Sequence, residues 1–186
     1  MYWCKQLIRN YKLLCSALLC ISALASCRPD VHESAGDKRF FDLKGFINAD
    51  SARLNRAHIT VTKTVAHNND VAQTKPVTIT NWGQELSAFS ASDINKPAWR
   101  DGYSVKQEAD SVVYTALMPD LVTRRMVIQQ NDKAVKKIHI ENFTKNLLYQ
   151  TTEHLVYYPD SVYLIDKLQE VKLLGSNRYV VKGVMK

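Results

Sequence analysis

The sequence predicts an α+β fold: a long antiparallel β meander, forming a curved sheet or half-barrel, covered by two N-terminal helices. Three observations predict it. From His58 onward most of the chain alternates apolar and polar residues with a period of two, as half-buried strands do. Short runs of Asn, Asp, Pro, Gly and Ser interrupt that alternation where turns belong. Two stretches before residue 92 instead space their apolar residues three and four apart, as a helix does.

The first helix is expected over residues 40–57, with Phe40, Leu43, Ile47 and Leu54 near one face and Phe41 and Phe46 widening it. Gly45 weakens it by about 1 kcal/mol. Ile59, Val61 and Val65 then alternate with Thr60, Thr62 and Thr64 in a β-branched strand. Asn68-Asn69 supplies a turn, and residues 71–79 return as a strand that Pro76 confines to an edge. Asn81 and Gln84 have the spacing of a capping box, which opens a second helix with Trp82, Leu86 and Phe89 on one face. An irregular segment follows, punctuated by Pro97 and pinned by Trp99.

The remaining strands carry register information. Strands 145–158 and 162–174 flank Pro159-Asp160-Ser161, and one pairing sets Tyr157 opposite Tyr163, Leu155 opposite Ile165, Glu153 opposite Lys167, Tyr149 opposite Val171 and Leu147 opposite Leu173. A slip of one residue would put every side chain on the wrong face. Gly175-Ser176-Asn177 is the expected next turn, setting Tyr179 beside Leu173 and Val181 beside Val171. Asn131-Asp132-Lys133 joins 122–130 to 134–142 and sets Met126 opposite Ile138. Arg125, Lys137, His139 and Glu141 then point away from the apolar face.

The N-terminus has a different character. Lys5, Arg9 and Lys12 precede an apolar run from Leu13 to Leu24, and no acidic residue occurs before Cys27. The run is shorter than the roughly 20 residues that span a bilayer. Leu24-Ala25-Ser26-Cys27 closes it, and the whole resembles the signal peptide and lipobox of bacterial lipoproteins. The resemblance implies a signal peptide at 1–26, a lipidated Cys27, a flexible tether to residue 39 and a single α+β domain at 40–186. In that family the mature cysteine carries three acyl chains, enough for firm anchoring where one chain is marginal. Arg28 follows Cys27 rather than the Asp of inner-membrane lipoproteins, which implies the outer membrane of a Gram-negative bacterium. In element order and pattern the body is similar to periplasmic lipoprotein-carrier folds, whose curved sheet cradles acyl chains.

Composition limits the chemistry. Cys4, Cys15, Cys20 and Cys27 are the only cysteines, so a body from residue 40 has no disulfide, zinc-thiolate site or thiol nucleophile. The chain carries +7; removal of the three signal cations leaves 22 basic against 18 acidic residues, a modest balance that fits a solvated surface with no particular partner and, outside the cytoplasm, suits anionic lipid headgroups better than nucleic acid. No catalytic motif is present. The histidines His58, His67, His139 and His154 show no metal-ligand spacing, and neither a metal nor a cofactor is expected. His154 falls opposite Asp166, a pair that could orient a general base but more often is an exposed contact.

The expected function is therefore a non-catalytic, lipid-anchored envelope module that binds an apolar ligand or an envelope protein. Candidate ligand contacts are Lys63, Trp82, Phe89, Leu147 and Tyr149, lining a cavity between sheet and helices. Lys63, on the apolar side of its strand, would meet an anionic ligand, although an ion pair or a stem that snorkels to water accounts for it better. An assembly subunit with an exposed apolar patch and no cavity is the alternative, and a hydrolase of envelope polymers a further one. For the anchor the expected outcome is direct: Cys27→Ser leaves the precursor unprocessed, read as an unshifted gel band that takes up no labelled palmitate.

Overall fold

The computed structural model describes residues 38–186, so Cys27, the signal segment and most of the tether lie outside the described residues. Helix α1 (Leu43–Ala57) precedes strands β1 (Thr60–His67) and β2 (Gln73–Thr78). Two short helical pieces, α2 (Trp82–Glu85) and α3 (Ser87–Ala91), and a 3₁₀ turn (Pro97–Trp99) follow. The chain then runs through β3 (Tyr103–Gln107), β4 (Ser111–Ala116), β5 (Thr123–Asn131), β6 (Ala134–Lys145), β7 (Tyr149–Tyr158), β8 (Val162–Val171) and β9 (Gly175–Met185). Among the described residues these strands form one antiparallel sheet in the order β2-β1-β9-β8-β7-β6-β5-β4-β3. The segment from β2 to β3 must join the two opposite edges, and it does so across one face, carrying α2 and α3 over the sheet.

Asp42 caps α1: its Oδ1 accepts the Gly45 N–H at 2.9 Å. A Cβ on Gly45 would lie 2.1–2.8 Å from that carboxylate, so the glycine that weakens the helix also makes room for its cap. His58, at φ 49°, ends the helix. The second expected helix is broken instead. α2 and α3 meet at Leu86, whose backbone is non-helical, although Asn81 does cap α2 through the Gln84 N–H at 3.0 Å. Just before α1, Lys38 pairs with Asp42 and Arg39 with Asp101.

The core lies between the helical segments and the sheet. Leu43, Ile47 and Leu54 of α1, with Trp82, Leu86 and Phe89, pack on Met126, Ile138, Ile140, Leu155, Tyr157 and Tyr163, all at most 1% exposed. Full burial of each such side chain contributes about 1.5–3 kcal/mol. Trp82 meets Tyr163 edge-on at 6.1 Å, and Phe89 meets Tyr157 at 5.6 Å.

The β7/β8 ladder has the expected register from Tyr149↔Val171 to Tyr158↔Val162. Leu147 and Leu173 fall outside it, in turns. The β8/β9 expectation fails: the turn lies at Lys172-Leu173-Leu174, and Tyr179 pairs with Lys167 and Val181 with Ile165. Tyr179 thus meets a partner six residues from the expected one, an even slip that preserves faces, which is why alternation alone could not detect it. The observed register sets Gly183 opposite Tyr163, where the aromatic ring fills the space of a missing side chain. At β5/β6 the expected three-residue loop is a two-residue turn, Asp132-Lys133, both at positive φ, followed by an irregularity at Gln129/Gln130. Met126 therefore faces Ile140 rather than Ile138.

A Cβ at position 183 would sit 2.1–2.5 Å from three atoms of the Tyr163 phenol. Gly183→Ala should therefore cost about 1–3 kcal/mol. The expected reading is a lower urea midpoint at unchanged slope.

Candidate functional site

The residues expected to line a cavity do not converge. Trp82 and Phe89 are fully buried core residues, Leu147 is 84% exposed at a turn, and Tyr149 is half-buried near that turn. Lys63 is neutralised by Glu85, its Nζ lying 2.7 Å from Oε1 and 2.9 Å from Oε2. The Tyr163 hydroxyl donates to the same carboxylate, and burial first, then that contact, pushes its pKa well above the ordinary phenol value. The space between helices and sheet is thus occupied by side chains.

A different constellation stands at one end of the sheet. In an antiparallel meander alternate turns emerge at the same end. Here the β1–β2, β4–β5, β6–β7 and β8–β9 connections share one end, and each carries exposed aliphatic residues: Val71; Leu117 and Met118; Leu147 and Leu148; Leu173 and Leu174. The opposite turns, Glu108-Ala109-Asp110, Asp132-Lys133 and Pro159-Asp160-Ser161, carry no exposed large aliphatic residue. The two leucine pairs sit on adjacent tips joined by the Lys172 N–H to Leu148 carbonyl bond of 2.9 Å. Asn146 Oδ1 accepts the Leu148 and Tyr149 N–H groups at 2.8 and 2.9 Å, fixing the first tip. Leu173 holds φ 71°, a conformation that usually falls to Gly or Asn. Lys145 and Lys172 flank the leucines.

Beside these tips, on the helix-covered face, Asn142, Thr144, Tyr149, Thr151, Glu153, Lys167 and Gln169 line a polar recess of about 190 Å³. Lys167 pairs with Glu153 at 3.0 Å. Asn142 Nδ2 donates to Ser92 Oγ at 2.8 Å and Glu153 Oε2 at 3.2 Å.

The opposite face, which no element among the described residues covers, holds a second cluster. His139 and Glu141 are two apart on β6 and so share that face, and His154 of β7 is directly opposite Glu141. One ligand atom from each lies within 4.8 Å of the others. Burial lowers the His139 pKa; the charges of Lys137, Arg125 and His154 act the same way and Glu141 opposes them. Linear spacing hid this cluster, since His139 and His154 are far apart in sequence and only the β6/β7 register joins them. Asp166 does fall opposite His154, but its carboxylate is held by Arg178, with Nε–Oδ1 2.9 Å and Nη2–Oδ2 2.6 Å. Glu85 lies on the other face with Lys63 and Tyr163.

The chain matches no protein-family model, curated protein or solved structure. No helix among the described residues is long and apolar enough to cross a membrane.

Arg178 governs the Asp166 carboxyl. Its hydrogen bonds are the main reason that pKa lies below the ordinary carboxylate range, with its charge adding to them and burial opposing. A depressed folded-state pKa gives stability that is present above the unfolded value of about 3.9 and lost as pH falls through the folded value. In Arg178→Gln the Asp166 pKa should return to the ordinary range by NMR titration, and Asp166 should drop out of the acid-limb slope of stability.

Proposed function

We propose that the protein is a non-catalytic envelope lipoprotein, acylated at Cys27, whose body rests its apolar turn end on the bilayer surface. The observation that carries this reading is the polarity of the sheet: exposed aliphatics on all four turns of one end and none on the three of the other. At a strand spacing of about 4.8 Å, those four turns form a row roughly 30–35 Å long. Each leucine that enters the acyl boundary gains up to about 1.5–3 kcal/mol. Lys145 and Lys172 each add about 1 kcal/mol near an anionic surface. Acyl chains at Cys27 would bring the end to the bilayer, and the leucine tips would set its orientation.

A carrier of acyl chains inside the fold is not the reading retained, because Trp82, Leu86, Phe89, Tyr157 and Tyr163 fill that space. An assembly subunit remains the second reading, since the same exposed end would serve a protein partner.

Vesicle flotation tests the first. The chain from residue 28, which lacks the anchor, should float with vesicles of phosphatidylethanolamine and phosphatidylglycerol, and less so in high salt. Replacing Leu147, Leu148, Leu173 and Leu174 by Ser should abolish flotation while leaving the circular dichroism unchanged. Failure of the unsubstituted chain to float would remove membrane docking.

A further inference from the structure

We propose that His139, Glu141 and His154 form a binding site for a zinc-class divalent cation on the uncovered face of the sheet. It is independent of the bilayer reading, because the leucine tips contribute no ligand to it.

The argument begins with placement. β7 is the middle strand of the sheet order and β6 its neighbour, so each is hydrogen-bonded on both sides. Their backbones therefore hold the three Cα positions firmly, as a metal site requires. Two side chains two apart on one strand, plus one directly across the ladder, make a triangle that projects from one face. The nearest ligand atoms all lie within 4.8 Å of one another. Bonds of about 2.0–2.2 Å to a tetrahedral zinc bring ligand atoms to roughly 3.4 Å apart. Side-chain rotation covers the difference, since His139 and Glu141 are partly exposed and His154 is exposed.

Donor chemistry selects the ion. Two imidazole nitrogens with one carboxylate suit zinc, copper or nickel, whereas calcium and magnesium take oxygen ligands. Three protein ligands leave a fourth position for water or a partner's donor. The surrounding charges are mixed. Arg125 lies 3.8 Å from Glu141 across an exposed, weakly worthwhile pair, and its guanidinium can move aside. Lys137 precedes His139 by two residues on the same face, while Asp166, opposite His154, is committed to Arg178. Lys137 and Arg125 lower the affinity.

The test uses the full chain in detergent, without a polyhistidine tag and with Cys4, Cys15, Cys20 and Cys27 alkylated, so that thiolates cannot compete. Cobalt(II) is the probe, followed by zinc. The expected result is one equivalent of cobalt with visible d–d absorption, displaced by zinc. His139→Gln and His154→Gln should each weaken binding about tenfold or more, and Glu141→Gln should weaken it too. His67→Ala, which removes the other exposed His–carboxylate pair with Asp70, should leave it unchanged. The glutamine variants keep a polar side chain on an uncovered face, and thermal melts without metal verify their folding. The proposal is overturned if no saturable one-equivalent binding occurs, if the His139 and His154 variants bind as the unsubstituted chain does, or if His67→Ala abolishes the signal.

Discussion

Two tyrosines key this fold together. Tyr157 and Tyr163 face each other across the β7/β8 ladder, both fully buried. Each sends its hydroxyl to a carboxylate on the cover: Tyr157 to Asp50 of α1 and Tyr163 to Glu85 of α2. Burial and those carboxylates push both phenol pKa values up, so both remain proton donors. The carboxylates are in turn neutralised, Asp50 by Arg53 and Glu85 by Lys63. A buried donor that loses its acceptor costs about 1–3 kcal/mol. Cover and sheet are therefore locked in one relative position, and the register that fixes the tyrosines also fixes which residues fall in the turns.

Part of this could be read from residue order. The aromatic pair and the acid–base pair Glu153–Lys167 identify the β7/β8 register because side chains of matching chemistry coincide only once. Pro76 marks an edge strand, and β2 is one. Asn81 marks a helix start because its side chain has a local job, which it performs. These signals act over a few residues, or between strands joined by a short turn.

What stayed hidden depends on longer-range packing. Gly175 looks like the start of a turn, yet at φ 87° it opens β9, and the turn before it places Leu173 at φ 71°. The deciding contact is Gly183 against the Tyr163 ring, 20 residues away in sequence, which no local pattern encodes. The break at Leu86 is similar: Leu86 and Trp82 are both fully buried, and a continuous helix would have to give up the bend on which they sit. Lys63 carried an ambiguous signal, and only the fold brings Glu85 beside it. The His139–Glu141–His154 cluster required the β6/β7 register, which has no aromatic or charged pair as diagnostic as Tyr157/Tyr163.

The placement of Leu173 links these levels. A leucine at φ 71° has its side chain in a backbone conformation disfavoured by roughly 1–2 kcal/mol for residues with a Cβ. It is fully exposed, so no packing within the described residues offsets that cost. Gly or Asn would form the same turn at lower energy. Three neighbouring tips also present aliphatics in place of turn residues, whereas the three turns at the far end use Asp, Lys, Glu and Ser. Tightness alone does not explain that contrast, since the three-residue connections at 108–110 and 159–161 carry no exposed large aliphatic residue whereas those at 146–148 and 172–174 carry two leucines each. In the proposed docking the compensating contact would come from the bilayer, since a surface that is apolar within and anionic at its face meets the chemistry of leucines flanked by lysines.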